Sequence, residues 1–597
     1  MLSGQCRVAT RLCCRRSAFN AAKLSSSPRL SSHGPNAPLE LDPSLQDLLR
    51  DADMALLKHK PSEPAKNGSS SAKELEILEF DESSTERTED GENDIVTPKE
   101  RKSARAAFGS RGIGSVFLPM ELREAIEKVI GGGDKPRLHE DAKRLFREDG
   151  DNGGDLWHTN YQTDYKSWKQ TQRHEERDGT AFASVALPAH YSAVYAVFDH
   201  IKHRLGDDWK VRNIIDWGSG VGSGLWASMH AFQEGSEEQD GNTALEPSLS
   251  RSIITSYLGF EKRKGLSNMA KRLIEDSNVG SASVRWHKAY SKDEQIQRSE
   301  GGDVLALSAF HLSSLPTPAA RKEMVKQMWS SGAEVIVLID HDTSTGFTSI
   351  IEARDQLLRM GKRELQDSEI QGDPMTGCHV VAPCPHDGAC PLFNSGKPSL
   401  KCTFSQRLQR PAFLRKTKHV RAGHEDMGYS YVVIRRGQRP SKPRIGETSD
   451  TSGQNIATDA ESASSIRLEA YDWPRMVFPP LKRSGHVIID GCTAEGKIMR
   501  MTIPRSQGKQ PYYDARKSSW GDIFPHKPKN PPQIRYEPND STTDPSSLPG
   551  SDIGKRRVKE KKQDPTSYEK IYADLREIQK SRQKMWDRLF VAIEEEV

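Results

Sequence analysis

Thiol groups are the most concentrated reactive side chains in this sequence. Of eight cysteines in 597 residues, four lie between positions 378 and 402 with the spacing C-x5-C-x5-C-x11-C, and another lies at 492. Prolines at 383, 385 and 391 stiffen the loop, and Gly388 permits a tight turn. Thiolates held in place by a stiff loop suit a soft metal. Buried, unreactive thiols or a disulfide pair are the alternative.

A glycine-rich loop is the second group of residues that could form a functional site. Segment 211–216 predicts a strand, the loop D-W-G-S-G-V-G-S-G begins at Asp216, and segment 225–232 predicts a helix. Glycines let the backbone approach a ligand closely and leave amides pointing at it. The next predicted strand, 253–260, is followed by Glu261, whose carboxylate could accept hydrogen bonds from two ribose hydroxyls.

The elements around these residues predict the fold class. Further strands at 303–308 and 333–340 extend a βαβ series, which implies a parallel sheet with helices on both faces. The helical spacing of 117–148 and 187–204 predicts a helical cap before this domain. Strands at 485–490 and 496–504 predict a hairpin around Cys492 in a second, smaller β unit. We therefore expect an α/β, Rossmann-like fold with a cysteine-rich insertion.

The glycine loop, with an acid closing the next strand, resembles that of the class I S-adenosylmethionine-dependent methyltransferases. The resemblance implies that S-adenosylmethionine is the cofactor. The residues that would hold it are Asp216, Gly218, Gly220, Gly222 and Glu261. The acceptor motif Asn/Asp-Pro-Pro-Tyr is absent, and segment 308–312 reads S-A-F-H-L instead. The sequence therefore assigns no catalytic residue, and a fold kept for its shape, with an empty pocket, remains the alternative.

A basic segment follows the cysteine loop. Between Pro391 and His424 there is no Asp or Glu. The segment contains Lys397, Lys401, Arg407, Arg410, Arg415, Lys416, Lys418 and Arg421. Such a run predicts contacts with nucleic-acid phosphates, because neutralising phosphates releases counterions. A solvated basic face is the alternative.

The composition of the N-terminal residues predicts where in the cell the protein is located. Six Arg and Lys residues occur in the first 32 residues, and the first acid is Glu40. An Arg-rich, Ser-rich, acid-poor N-terminus is typical of a mitochondrial transit peptide, so we expect a matrix protein. A disordered basic tail that binds nucleic acid is the alternative. No apolar run of about 18 residues occurs, so no membrane span is expected.

The composition of the chain, and how it changes along the sequence, predicts the domain organisation. Hydrophobic residues make up 35% and charged residues 28% of the chain, which is typical of a soluble protein with substantial disordered parts. The predicted parts are a transit peptide (1–35), a disordered linker (36–115), a helical region (116–205), a methyltransferase-like domain (206–436) with a cysteine-rich insertion (378–424), a linker (437–465), a small β-rich unit (466–535), and a basic tail with a helix (536–597).

Four motifs in order make the resemblance more specific: D-W-G-S-G-x-G-S-G, A-P-C-P-H-x3-C-P, C-x-F-S-Q and S-S-W-G-D. Together they resemble the mitochondrial small-ribosomal-subunit protein twenty-two family of fungi, called methyltransferase-like protein seventeen in animals. The resemblance spans roughly 117 to 525. It implies a class I methyltransferase fold carrying a four-iron, four-sulfur cluster. The ligands it implies are Cys384, Cys390, Cys402 and Cys492, and Cys378 is a local competitor for the fourth position.

Three functions follow as hypotheses. The resemblance implies a ribosomal-subunit or assembly protein that binds mitochondrial small-subunit rRNA and ribosomal proteins, and uses its cluster structurally to support mitochondrial translation. An active S-adenosylmethionine-dependent rRNA methyltransferase is the second hypothesis, and a zinc-binding structural module is the third. The residues themselves do not distinguish an iron–sulfur cluster from a zinc ion, because either can be bound by four cysteine thiolates.

Overall fold

The structure, a computed structural model, describes the central part of the chain. The described residues are 102–110, 112–149, 155–161, 165, 167–206, 209–234, 246–366, 375–393, 400–440 and 459–538. All of them fall in one compact unit of the chain. The predicted transit peptide and the predicted helix within 567–593 lie outside the described residues.

The helices of this part are α1 (Ala104–Phe108), α2 (Met120–Gly131), α3 (Lys135–Phe146), α4 (Trp168–Ala181), α5 (Leu187–Leu205), α6 (Ser223–Ala231), α7 (Lys264–Ile274), α8 (Pro318–Ser330), α9 (Ser344–Gln366), α10 (Ala412–Lys418), α11 (Asp459–Glu469) and α12 (Lys509–Lys517). A π-helical turn, Phe182–Ala186, joins α4 to α5. Pro188 lies in the first turn of α5, directly after the π-helical turn, so its missing N–H removes one backbone donor from this continuous helical stretch.

The strands are β1 (Ser115–Val116), β2 (Arg147–Asp149), β3 (Asp155–Trp157), β4 (Asn213–Trp217), β5 (Ser256–Phe260), β6 (Ser283–His287), β7 (Val304–Ala309), β8 (Val335–His341), β9 (Cys378–Ala382), β10 (Phe404–Gln409), β11 (His424–Arg436), β12 (Arg475–Met476), β13 (Leu481–Lys482), β14 (His486–Cys492), β15 (Ile498–Pro504) and β16 (Gln533–Tyr536).

The main sheet has the order β1-β10-β11-β8-β7-β4-β5-β6, with β9 also paired to β11. Strands β4 to β8 are parallel to one another, whereas β11 is antiparallel to β8, β9 and β10. Every residue of β7 and β8 is buried, as expected for strands covered on both faces. The predicted Rossmann-like α/β fold is therefore confirmed, with an antiparallel strand inserted that the βαβ pattern did not predict.

Two apolar cores cover the two faces of this sheet. One contains side chains of α5, α6, α7 and α10, and the other contains side chains of α8 and α9. One stretch of the described residues, His174–Leu205, is long and apolar enough to resemble a membrane span. However, 89% of its most apolar window is buried inside the protein, as in the core helix of a soluble domain.

The C-terminal residues form a separate antiparallel sheet. Strand β14 pairs with β15 along its whole length, so the predicted hairpin around Cys492 is confirmed. Cys492 is the last residue of β14 rather than lying beyond the strand end. This sheet has its own small core and packs beside the methyltransferase-like domain, because Val477, Cys492 and Ile498 share an apolar cluster with Phe347 and Cys390.

Several elements differ from the sequence prediction. Helix α11 begins at Asp459, inside the segment predicted as a linker to 465. Helix α1 lies inside the segment predicted as a linker to 115, and Ser103 at its N-terminus donates to Asp514 of α12 at 2.6 Å. Strand β10 lies in the basic segment, for which the sequence analysis named no strand. In each case a polar composition concealed an element that tertiary contacts stabilise.

Candidate metal centre and glycine-loop site

Four cysteines line one cavity where the two sheets meet. Cys384 and Cys390 lie on the loop after β9, Cys402 directly precedes β10, and Cys492 ends β14. Apolar side chains of α9, including Phe347, form another wall. The four residues that the family resemblance implies as ligands are thus brought together, although 90 residues separate the third from the fourth.

Cys378 lies elsewhere. It begins β9, and its Sγ lies 3.4 Å from the carbonyl oxygen of Leu357 in α9. A Cβ placed on Gly361 would lie 2.5 Å from that sulfur, so the thiol fills the space beside the helix. Burial raises its pKa to about 12. These contacts indicate a core cysteine, as its position before an apolar strand suggested.

The thiols of the cavity influence one another. Burial, with the neighbouring Cys384 thiol, raises the pKa of Cys390 to about 12. Burial raises the pKa of Cys492 further above its usual range, and Cys384, Cys390 and Cys402 add to that rise. The neutral thiol is therefore favoured at Cys390 and Cys492. A bound metal ion reverses this preference, because its positive charge stabilises the thiolates that ligate it.

An arginine that the sequence analysis missed lies beside the thiols. Arg354 is fully buried on α9, and its Nη2 donates to the carbonyl oxygen of His386 at 2.9 Å. Although burial opposes its charge, the negative charge that Cys384 and Cys390 carry when they are thiolates raises the pKa of Arg354. The sequence signal was available, since Arg354 occupies the apolar stripe that includes Ile350 and Leu357.

Two further polar side chains join the insertion to the C-terminal sheet. The Nε2 of His386 lies 3.3 Å from the Sγ of Cys492. Arg475, opposite Cys492 in the β12–β14 ladder, donates to the carbonyl oxygens of Pro383 (3.1 Å) and Gly521 (2.6 Å). Four thiols, two arginines and an imidazole thus enclose a site whose donor set fits a metal bound by four thiolates.

The glycine loop forms as predicted but is engaged by the protein itself. Gly218, Gly220 and Gly222 have φ angles of 75°, 55° and 90°, a region that favours glycine. The N–H of Gly220 donates to Glu261 Oε2 at 3.0 Å. Asp216 is buried behind the loop, where its Oδ2 accepts a hydrogen bond from Tyr257 at 2.6 Å. Asp216 therefore supports the loop rather than facing a ligand.

Glu261, the predicted ribose acceptor, already has partners for both oxygens. The Nε and Nη2 of Arg263 donate to its Oε1 and Oε2 at 3.0 and 3.2 Å, and the backbone N–H of Arg263 donates to Oε1 at 2.9 Å. The His311 ring fills the space beside Gly218, because a Cβ there would lie 2.1 Å from its Cγ. Arg263 would therefore compete with a ribose for Glu261 in this arrangement, and no transfer step follows from it.

This arrangement yields a test with purified protein. Replacing Arg263 with alanine is expected to strengthen S-adenosylmethionine binding by about tenfold or more, because the ribose no longer competes with a guanidinium for Glu261. Isothermal titration of both proteins measures the change. Arg272→Ala, which removes an exposed arginine paired with Glu176, is the control and should leave the affinity unaltered. Equal affinities of the wild type and Arg263→Ala would contradict the assignment.

The basic segment is partly neutralised by acids immediately after it. Arg410 and Lys418 donate to Glu425 at 2.8 and 2.7 Å, and Arg407 pairs with Asp426 at 2.8 Å. The Lys418 side chain is only 4% exposed, so the prediction that it contacts phosphate is wrong. Lys397 lies outside the described residues.

The remaining described cations of this segment are Lys401, Arg415, Lys416 and Arg421. Arg415 and Lys416 are exposed on α10, and Arg421 is exposed just beyond it. Lys401 is half-buried and donates to the carbonyl oxygen of Asp342 at 2.6 Å. The surface available for phosphate contacts is therefore smaller than the eight cations of the segment suggested, and it is centred on α10.

The sequence of this chain matches the model of one known protein family. The sequence model of the mitochondrial small ribosomal subunit Rsm22 family matches residues 176–525, more than half of the chain, including the glycine loop and all four cavity cysteines. The chain belongs to the Rsm22 family. The resemblance stated from the four sequence motifs is thereby confirmed.

Individual relatives agree with this assignment. A Rsm22-cox11 tandem protein of Schizosaccharomyces pombe is 28% identical over 58% of this chain and 43% of its own length. The human ribosome assembly protein METTL17 is 26% identical over 60% and 66%, respectively. The Saccharomyces cerevisiae ribosome assembly protein RSM22 is 23% identical over 57% and 66%. The matched part therefore spans less than two thirds of each relative. All three are named as mitochondrial, which confirms the predicted mitochondrial address.

Solved structures similar to this chain include methyltransferases. A putative RNA methyltransferase from Pyrococcus horikoshii shares 10% identity with a TM-score of 0.22, covering 41% of this chain and 81% of its own. The methyltransferase domain of bacterial CtHen1 shares 11% identity with a TM-score of 0.21, covering 42% and 100%.

Proposed function

We propose that this protein acts in the mitochondrial matrix in assembling the small ribosomal subunit, where it binds small-subunit rRNA and ribosomal proteins and supports mitochondrial translation. Its methyltransferase-like fold is stabilised by a four-iron, four-sulfur cluster held by Cys384, Cys390, Cys402 and Cys492. The observation that carries the proposal is the four-thiol cavity between two sheets in a member of the Rsm22 family. Two relatives named as mitochondrial ribosome assembly proteins support the cellular role.

A cluster bound here acts structurally by joining four thiolates from distant parts of the chain. Three of the cysteines belong to the methyltransferase-like domain, and Cys492 belongs to the C-terminal sheet. Metal binding energy then becomes folding energy for the contact between the two sheets. Visible absorption of anaerobically purified protein tests the identity of the metal, since iron–sulfur clusters absorb visible light and zinc does not. A colourless protein with one zinc ion per chain would contradict the cluster.

Helix α10 is the proposed rRNA contact. Arg415 and Lys416 are exposed on this helix, beside His419, whose ring stacks on that of His139 in α3 at 3.7 Å. Phosphate contacts by exposed cations give salt-dependent binding without requiring any particular base sequence. The surface therefore suits the backbone of a folded RNA.

Reversing the charge of this helix tests the contact. Arg415→Glu with Lys416→Glu is expected to weaken small-subunit association about tenfold at low salt and to flatten its salt dependence. Sedimentation with small subunits across a salt series measures both effects. Lys322→Glu with Lys326→Glu is the matched control, since it reverses two exposed lysines on α8, which packs on the opposite face of the sheet. Equal losses in both double variants would contradict a specific role for α10.

A further inference from the structure

The charged residues that line the cysteine cavity are all cations. Of the described residues that line it, two are arginines, Arg354 and Arg475, and none is Asp or Glu. Both arginines are almost completely buried. A buried charge without an opposite charge is strongly destabilising, whereas a buried cation paired with an anion is tolerated. The lining therefore indicates an anionic occupant.

Arg354 is the less satisfied of the two cations. Its Nη1 donates to Asp355 Oδ1 at 3.0 Å, but the Asp355 side chain is 36% exposed and therefore well solvated. Its Nη2 donates to a neutral carbonyl oxygen, that of His386. Its Nε is buried and has no hydrogen-bond partner among the described residues. One N–H donor of a fully buried guanidinium thus remains available beside the thiols.

We propose that Arg354 is a positioning residue for an anionic metal–thiolate centre, which it stabilises by balancing its negative charge and by offering Nε–H to one of its sulfur atoms. Four thiolates leave either a zinc ion or an oxidised four-iron cluster with a net negative charge, so the inference holds for both metals. Charge-assisted hydrogen bonds of this kind are stronger than neutral ones. The inference rests on the proposed metal centre and adds a residue outside the cysteine motif.

The prediction is a coupling between Arg354 and the metal. In Arg354→Gln, we expect metal release to a chelator to be about tenfold faster than in the wild type, because the bound centre loses its counter-charge. The metal-free variant should be at least as stable as the metal-free wild type, since an unbalanced buried charge has been removed. The measurements are chelator-induced loss of absorbance, metal content per chain, and thermal unfolding of loaded and metal-free full-length protein.

Two further variants separate charge from packing. Arg354→Lys retains the positive charge and should release metal within about threefold of the wild-type rate. Arg436→Gln is the matched control, because Arg436 is also buried, stacks on Trp329 at 3.9 Å, and does not line the cavity. It should lower stability equally in loaded and metal-free protein and leave metal release unchanged.

Contrary outcomes are equally specific. Arg354 would have only a packing role if Arg354→Gln destabilised loaded and metal-free protein equally, or failed to fold in both states. Release from Arg354→Lys as fast as from Arg354→Gln would show that the charge is not what matters. Wild-type protein that binds neither reconstituted iron and sulfide nor zinc would refute the metal centre itself. Metal binding that is unaffected by Arg354→Gln would refute only this inference.

Discussion

Cys492→Ser is expected to reduce cluster iron and sulfide to a small fraction of the wild-type content and to loosen the C-terminal sheet. The physical reason is that Cys492 is the proposed ligand from the second sheet. Its loss would remove both a thiolate and a link between two parts of the fold. Iron and sulfide per chain report the first effect. Limited proteolysis, with cleavage sites mapped to residues 475–536, reports the second.

Cys378→Ser is the matched control, because it changes the same atom in a nearby cysteine. Its thiol contacts α9 and does not line the cavity, so full cluster content and only modest destabilisation are expected. Cys378 is closer in sequence to the other ligands, but loop-closure entropy costs only about 0.6 kcal/mol more per doubling of loop length. Geometry therefore outweighs proximity. A full cluster in Cys492→Ser, with loss in Cys378→Ser, would overturn the ligand assignment.

Much of the fold was predictable because buried strands and glycine loops have strong local signals. Strands β4, β5, β7 and β8 lie within about three residues of their predicted bounds. The antiparallel direction of β11 was not predictable, since an apolar strand buried on both faces has the same pattern in either direction. Strand β10 does alternate between buried and exposed residues, but its basic charges drew attention to phosphate contacts or a solvated basic face rather than to a strand.

The candidate sites were predictable only in part. Cysteine spacing indicated a metal loop. Sequence proximity favoured Cys378 as the fourth ligand, but its position before an apolar strand suggested a core residue, and the resemblance pointed to Cys492. Arg354 carries no motif and is recognisable only as a charge within an apolar helical stripe. The ion pair between Glu261 and Arg263 could not be predicted either, since a Glu and an Arg this close in sequence can also both face solvent without pairing. Such pairings depend on tertiary distances, which spacing alone does not encode.

Asp216 gives the protein a pH dependence opposite to that of an ordinary carboxylate. Burial raises its pKa from 3.8 to about 7, and the nearby charge of Glu261 adds to this rise against the Tyr257 hydrogen bond. The folded state then binds a proton that the unfolded state has released between about pH 4 and pH 7. Stability from this residue is therefore present below pH 4 and lost as pH rises to 7, by about 4 kcal/mol in total.

Asp216→Asn is expected to remove this part of the pH dependence. Asparagine cannot ionise, and its side-chain oxygen can still accept the hydrogen bond from Tyr257. The variant should be more stable than the wild type at pH 8 and similar to it at pH 4, as measured by urea unfolding across that range. Asp514→Asn is the opposite control: burial raises the pKa of Asp514, but hydrogen bonds from Ser103 and His526 outweigh this and lower it. It should lose stability at pH 8, and a wild-type-like pH profile in Asp216→Asn would show that this carboxyl is already ionised in the fold.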